Sequence, residues 1–285
     1  WLHTITGALQ LARPLEFVVS KGRQRASRAC NFAARQALYC EKAILTSRYQ
    51  ATIATGIYRM NVRSNSAHLA RPGSLEVTVA LVSYFGLLAI MSAFMLRIPD
   101  DQAAFRGNFG MAGNGIVAVL AFTAAFSIRI SNFPAFGFRT VPWKWMLAGA
   151  AIGSAAYGAS HVMENVYFLL VTEVNTQADF QAGAKEGIVP LLILLFTGAL
   201  LTPIGEELVF RAVIANALNR YPAGIGVVGS ALIFAAAHGP SVIFFNAFLI
   251  GILTAFLFRK TLSIWPGVVV HAVFNALWLV TYALA

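Results

Sequence analysis

The sequence predicts an all-α fold, a polytopic transmembrane helix bundle of about seven spans. Three observations carry this expectation. Apolar residues fill 58% of the 285 positions and charged residues only 11%, against about a quarter charged in soluble domains. The mean hydropathy is +0.70. From Leu75 onward, apolar runs recur between short polar links, several of them near the roughly 20 residues a spanning helix needs. The runs do not alternate apolar with polar residues, as barrel strands do over about 10 positions, so helices are the spanning elements.

Residues 1–74 form a basic N-terminal leader. It holds eleven Lys or Arg against two acids, Glu16 and Glu41, and so most of the net charge of +10. It lacks a nucleic-acid-binding motif, and basic residues beside a first span have a simpler reading: they hold the N-terminus in the cytoplasm. No nucleic-acid partner is expected. Cys30 and Cys40 lack metal-ligand spacing and read as free thiols. The stretch 1–59 is Arg- and Ala-rich and poor in acids, which fits a cytosolic tail, an organellar targeting peptide, or sequence foreign to the natural protein. Met60, about 15 residues before the first run, is the expected natural start. N-terminal sequencing checks this, and a native peptide from before Met60 overturns it.

The apolar runs cover Leu75–Leu96, Met111–Ile128, Trp145–Val171, Ile188–Leu218, Ile225–Ala237, Val242–Phe258 and Ile264–Leu284. Residues 75–187 are read as accessory transmembrane helices and 188–285 as a separate membrane core. The fourth run is interrupted by Pro203 and Gly205, and the fifth is short enough to need screening by neighbours. Trp143, Trp145 and Trp265 stand at run ends, where interface anchors occur. In the third run, Gly149 and Gly153 suit close helix packing. The links after runs two, four and six carry Arg and Lys without acids. A seven-span order with the N-terminus inside puts all of them on the cytoplasmic side, as the positive-inside rule requires.

Charges inside spans cost roughly 2.5–3.5 kcal/mol each on insertion scales and tend to be functional. Here they gather in run four, Glu206-Glu207-Leu208-Val209-Phe210-Arg211. Glu207 and Arg211 stand at i and i+4, on one helix face, and can pair. Glu206 points roughly 100° away, without that partner. A lone carboxylate in apolar surroundings suits a general base near neutral pH. Run five ends on Phe234-Ala235-Ala236-Ala237 with His238 next, and run seven contains His271-Ala272-Val273-Phe274-Asn275. The same spacing puts Phe234 with His238, and His271 with Asn275. Converging, these faces would offer a carboxylate, two imidazoles and an amide, enough for a water-activating base and donors to an oxyanion. Taken singly, each residue also fits interhelical hydrogen bonding. His161 and Glu164, at i and i+3 in run three, are expected to pair near the interface.

Glu-Glu-x-x-x-Arg, Phe-x-x-x-His and His-x-x-x-Asn, in that order at 206–211, 234–238 and 271–275, resemble the CPBP family. This family contains CAAX prenyl proteases of the Ras-converting type and bacteriocin-processing relatives, also called the Abi family. The resemblance covers about residues 188–285 and implies an intramembrane glutamic endopeptidase. It implies that Glu206 and His238 activate a water, that His271 and Asn275 form the oxyanion hole, and that Glu207 and Arg211 support the site. The implied partners are the lipid bilayer and a peptide or prenylated protein substrate, and no cofactor is implied. The localisation expected is a bacterial inner membrane. Zinc on two His and two Glu is the metal alternative; against it stand the absence of His-Glu-x-x-His and the divergence of adjacent helix positions. A non-catalytic protein on the same scaffold, such as an immunity or assembly factor, is the alternative outside enzymology. A transporter would show repeated halves with matching broken helices, and the sequence shows none.

Overall fold

A computed structural model describes residues 71–285. These belong to one compact unit, Leu69–Ala285. The readings of Cys30, Cys40, Met60 and nearly all of the leader lie outside the described residues. Eight helices follow in chain order: α1 (Ser74–Met95), α2 (Ala103–Phe126), α3 (Lys144–Leu170), the short α4 (Ala178–Lys185), α5 (Ile188–Leu218), α6 (Ala223–Ala236), α7 (Val242–Thr261) and α8 (Trp265–Leu284). There is no strand among the described residues.

Among the described residues, five helices are long and apolar enough to cross a membrane: α1, α2 with its preceding turn (Asp100–Phe126), α5, α7 and α8. The 27-residue α3 and the shorter apolar α6 lie beside these five, which makes the bundle roughly consistent with the seven spans expected. Their outward faces keep large apolar side chains such as Val82, Ile90, Val162 and Leu169 exposed, which suits lipid as the surrounding solvent. The α6 helix, at 14 residues, spans only about 21 Å. One of its faces is buried through Val227, Ala231 and Phe234, but Ile225, Val228 and Leu232 remain exposed. The screening anticipated for it is therefore one-sided.

The second helix begins earlier than its apolar run. Arg106, which breaks the run, is held by both oxygens of Asp179 on α4, at 2.6 and 2.8 Å, and by Asp100 at 3.1 Å. A neutralised guanidinium no longer interrupts an apolar helix. At the other end of the bundle, Glu76 takes two bonds from Arg129, at 2.6 and 2.7 Å, and one from the Gly73 backbone N–H at 2.7 Å. The α1 N-terminus and the link after α2 are thereby tied together.

Small residues set how closely the helices meet. A Cβ on Gly149 would lie 2.8 Å from the Pro266 carbonyl oxygen, and one on Gly153 would lie 2.5 Å from that of Val270. The packing anticipated for this glycine pair is thus the α3–α8 contact. Gly153→Val should force the two helices apart and cost about 1–3 kcal/mol, read as a lower melting temperature in detergent.

Candidate active site

The fifth helix is not a uniform α-helix. It widens to π-turns over Thr197–Leu201 and again over Leu208–Ala215, on either side of Thr202–Glu207. Proline has no N–H, and its ring crowds the carbonyl four residues back. For Pro203 that carbonyl belongs to Ala199, inside the first wide turn. The second wide turn starts directly after the carboxylate pair. Such π-turns mark functional positions in helices. The interruption expected from Pro203 and Gly205 therefore takes the form of widened turns rather than a break.

Glu206 and Glu207 are both buried, as are Arg211, Phe234 and His271. Glu206 lines a cavity of about 210 Å³, together with Phe234, His238, His271 and Asn275. All four residues expected to carry chemistry thus face one space. Glu207 points instead into the contact of α5 with α7 and α8. A Cβ on Gly267 would stand only 2.7 Å from Glu207 Oε2. Its other neighbour there is Arg211, whose Nε lies 3.2 Å from the same oxygen. Arg211 also donates to the Thr254 hydroxyl, and its guanidinium lies 4.4 Å from the centre of the Phe234 ring. The carboxylate pair is divided as the spacing predicted, one toward the cavity and one toward the arginine.

Two expectations need correction. Glu206 is not left without a partner. Asn114 on α2 donates from Nδ2 to Glu206 Oε1 at 2.8 Å, and the Tyr84 hydroxyl on α1 donates to Asn114 Oδ1 at 2.8 Å. Nor do the adjacent carboxylates diverge completely. His271 stands between them, with Nε2 3.6 Å from Glu206 Oε2 and Nδ1 3.4 Å from Glu207 Oε1. His271 supplies two separated nitrogens, so one ring serves two acids that could not share one atom. Among the described residues, no group of three or more His, Cys, Asp or Glu is placed to hold a metal ion.

His238 lies just past the end of α6. Its Nδ1 is 2.9 Å from the Phe234 carbonyl oxygen. A carbonyl can only accept, so in the neutral ring Nδ1 carries the proton and Nε2 is left as the acceptor. The ring packs edge-on against Phe234 at 4.7 Å, and His271 packs against the same ring at 5.7 Å. Phe234 is thereby the spacer between both imidazoles and the arginine. Asn275 donates from Nδ2 to the Gly198 carbonyl oxygen at 2.9 Å, within the first wide turn. An amide nitrogen carries two hydrogens, so one N–H remains.

The expected pairing of His161 with Glu164 is replaced by other contacts. His161 packs between Tyr157 and Trp278, at 4.6 and 4.5 Å between ring centres. Glu164 accepts from Asn246 of α7 at 2.6 Å, and both line the cavity. Sequence reasoning missed Tyr84, Asn114, Asn246 and Thr254. An amide flanked by glycines, Gly113-Asn114-Gly115, was the one available signal. The glycines allow close approach, since a Cβ on Gly205 would meet the Gly115 carbonyl oxygen at 2.6 Å.

Residues 188–277 match the family model described as type II CAAX prenyl endopeptidase, Rce1-like. The match spans all three motifs and is consistent with the resemblance to the CPBP family. Comparisons with curated proteins and with solved structures give no match.

Proposed function

We propose that this multi-pass membrane protein is an intramembrane endopeptidase of the CAAX-protease type, working through an activated water. The observation that carries the reading is the convergence of Glu206, His238, His271 and Asn275 on one cavity. Glu206, with His238 beside the same space, takes a proton from water as the oxygen attacks the scissile carbonyl carbon. His271 and the free N–H of Asn275 donate to the oxyanion that forms. The proton then passes to the amine nitrogen as the C–N bond breaks. Asn114 and Tyr84 hold the Glu206 carboxylate in place, and the Glu207–Arg211 pair supports His271 from behind. In this reading 188–285 is the catalytic core, with α2 contributing the hydrogen bond to Glu206 and α1 the one that holds Asn114. On the same reading the N-terminus is cytoplasmic, which the basic links support, and the membrane is a bacterial inner membrane.

The test is digestion of a peptide library by the purified, reconstituted protein, with cleavage sites read by mass spectrometry. Cleavage that survives excess chelator removes the zinc alternative. Absence of any cleavage by the wild type favours a non-catalytic protein on the same scaffold. A positioning role for Asn114 gives a second expectation. Asn114→Leu should lower kcat, with KM little changed, by about tenfold, the equivalent of 1.4 kcal/mol. Tyr84→Phe, which spares the bond to Glu206, should have the smaller effect. Equal kcat for Asn114→Leu and wild type would remove Asn114 from the site.

A further inference from the structure

The cavity lies on one side of the carboxylate pair. Beyond Glu206 it reaches Glu164 and Asn246, and there it adjoins a second space of about 260 Å³ lined by Glu173, Asn175, Thr176 and Gln177. Asn175 and Thr176 are exposed, in the link between α3 and α4. On the other side of Glu206 the interior is filled by Arg211, Thr254, Phe258 and Phe136, all fully buried or nearly so. No residue of the links after α2, α5 or α7 lines either space. Among the described residues, the site therefore communicates with the face that carries the α3–α4 link.

The two faces differ in charge. The face away from the mouth carries Arg129, Arg139 and Lys144 after α2, Arg220 after α5, and Arg259 and Lys260 at the end of α7. Its acid is Glu76, which Arg129 already occupies. On the mouth face, Arg97, Arg106 and Lys185 stand against Asp100, Asp101, Glu173, Asp179 and Glu186. Arg106 is itself bound by Asp100 and Asp179. Short links rich in Lys and Arg are retained in the cytoplasm, which leaves the mouth face outside.

Resting on the proteolytic reading above, we infer that the site is entered from the non-cytoplasmic side. Its substrates are then membrane-tethered peptides exposed on that side, rather than prenylated C-termini presented from the cytoplasm. The wall of the passage suits a peptide backbone. Asn246 is 4% exposed, its Nδ2 is engaged by Glu164, and its buried Oδ1 has no partner. Glu164 and Asn246 are thus the polar groups that the wall offers to an extended chain passing from the mouth to Glu206.

The test uses the full chain with Cys30 and Cys40 replaced by Ser, carrying either Thr176→Cys at the mouth or Ser131→Cys in the link after α2. Spheroplasts are treated with a membrane-impermeant maleimide, before and after permeabilisation. Thr176→Cys should react in intact spheroplasts and Ser131→Cys only after permeabilisation. The reverse pattern, or equal reaction of both in intact spheroplasts, overturns the inference. A bulky maleimide on Thr176→Cys should also abolish cleavage of a library-derived peptide by the reconstituted protein, while the same adduct on Ser131→Cys should not. Full activity of the Thr176→Cys adduct would show that substrate enters elsewhere. Labelling is read without catalysis, so a wrong topology and an inactive site give different results.

Discussion

Glu206→Gln is expected to lower peptide hydrolysis by about 10²–10⁴-fold, the contribution typical of a positioned general base, while the fold is retained. The amide matches the carboxylate in size, and its oxygen can still accept from Asn114 Nδ2, in the bond that is 2.8 Å long in the wild type. What is lost is the ability to take a proton from water. Stability should not fall. Two carboxylates flank one imidazole here, with Arg211 as the buried arginine beside them, and removing one negative charge eases their repulsion. This separates chemistry from structure: a rate loss with an unchanged melting temperature assigns Glu206 to the reaction. A Glu206→Gln variant that cleaves the selected peptide at the wild-type rate would end the proteolytic reading at this site.

Much of this arrangement was legible because it follows helical spacing. The i and i+4 relations of Glu207 with Arg211 and of His271 with Asn275 survive in the structure, as does the separation of the two glutamates, one lining the cavity and one beside Arg211. Composition and run length were sufficient for the helical bundle, since a bilayer leaves a chain few alternatives. What escaped was tertiary or depended on departures from regular geometry. Asn114 lies 92 positions from Glu206, and no local pattern links them. The flanking of His271 by both carboxylates conflicts with a strict 100° step, because spacing says nothing of a ring that offers two nitrogens to two acids. Thr254 looks like any small residue of an apolar run, yet it accepts from Arg211. Arg106 stands before run two as the sequence shows it, and its partner Asp179, which lets the helix start earlier, lies 73 positions away.

Arg211→Met carries the largest expected loss of stability. Arg211 and Glu207 have no exposed side-chain surface. Removing one member of such a pair strands the other charge in low dielectric, at a cost of about 3–5 kcal/mol. Here the stranded group would be Glu207, whose two oxygens have no hydrogen-bond donor of their own. Electrostatic attraction to Arg211 at 3.2 Å and the nearby His271 nitrogen are what compensate it. Methionine would also give up the bonds to Thr254 and the stacking on Phe234, though it can occupy most of the aliphatic path. The double variant Glu207→Gln/Arg211→Met discriminates between these terms. With both charges gone the desolvation penalty disappears, and the double variant should recover a large part of the stability lost by the single one. Thermal unfolding in detergent of the wild type, both single variants and the double variant completes the cycle. If the double variant is as unstable as Arg211→Met alone, packing against Thr254 and Phe234 is what Arg211 contributes, and the buried charge pair is not what holds Glu207 in place.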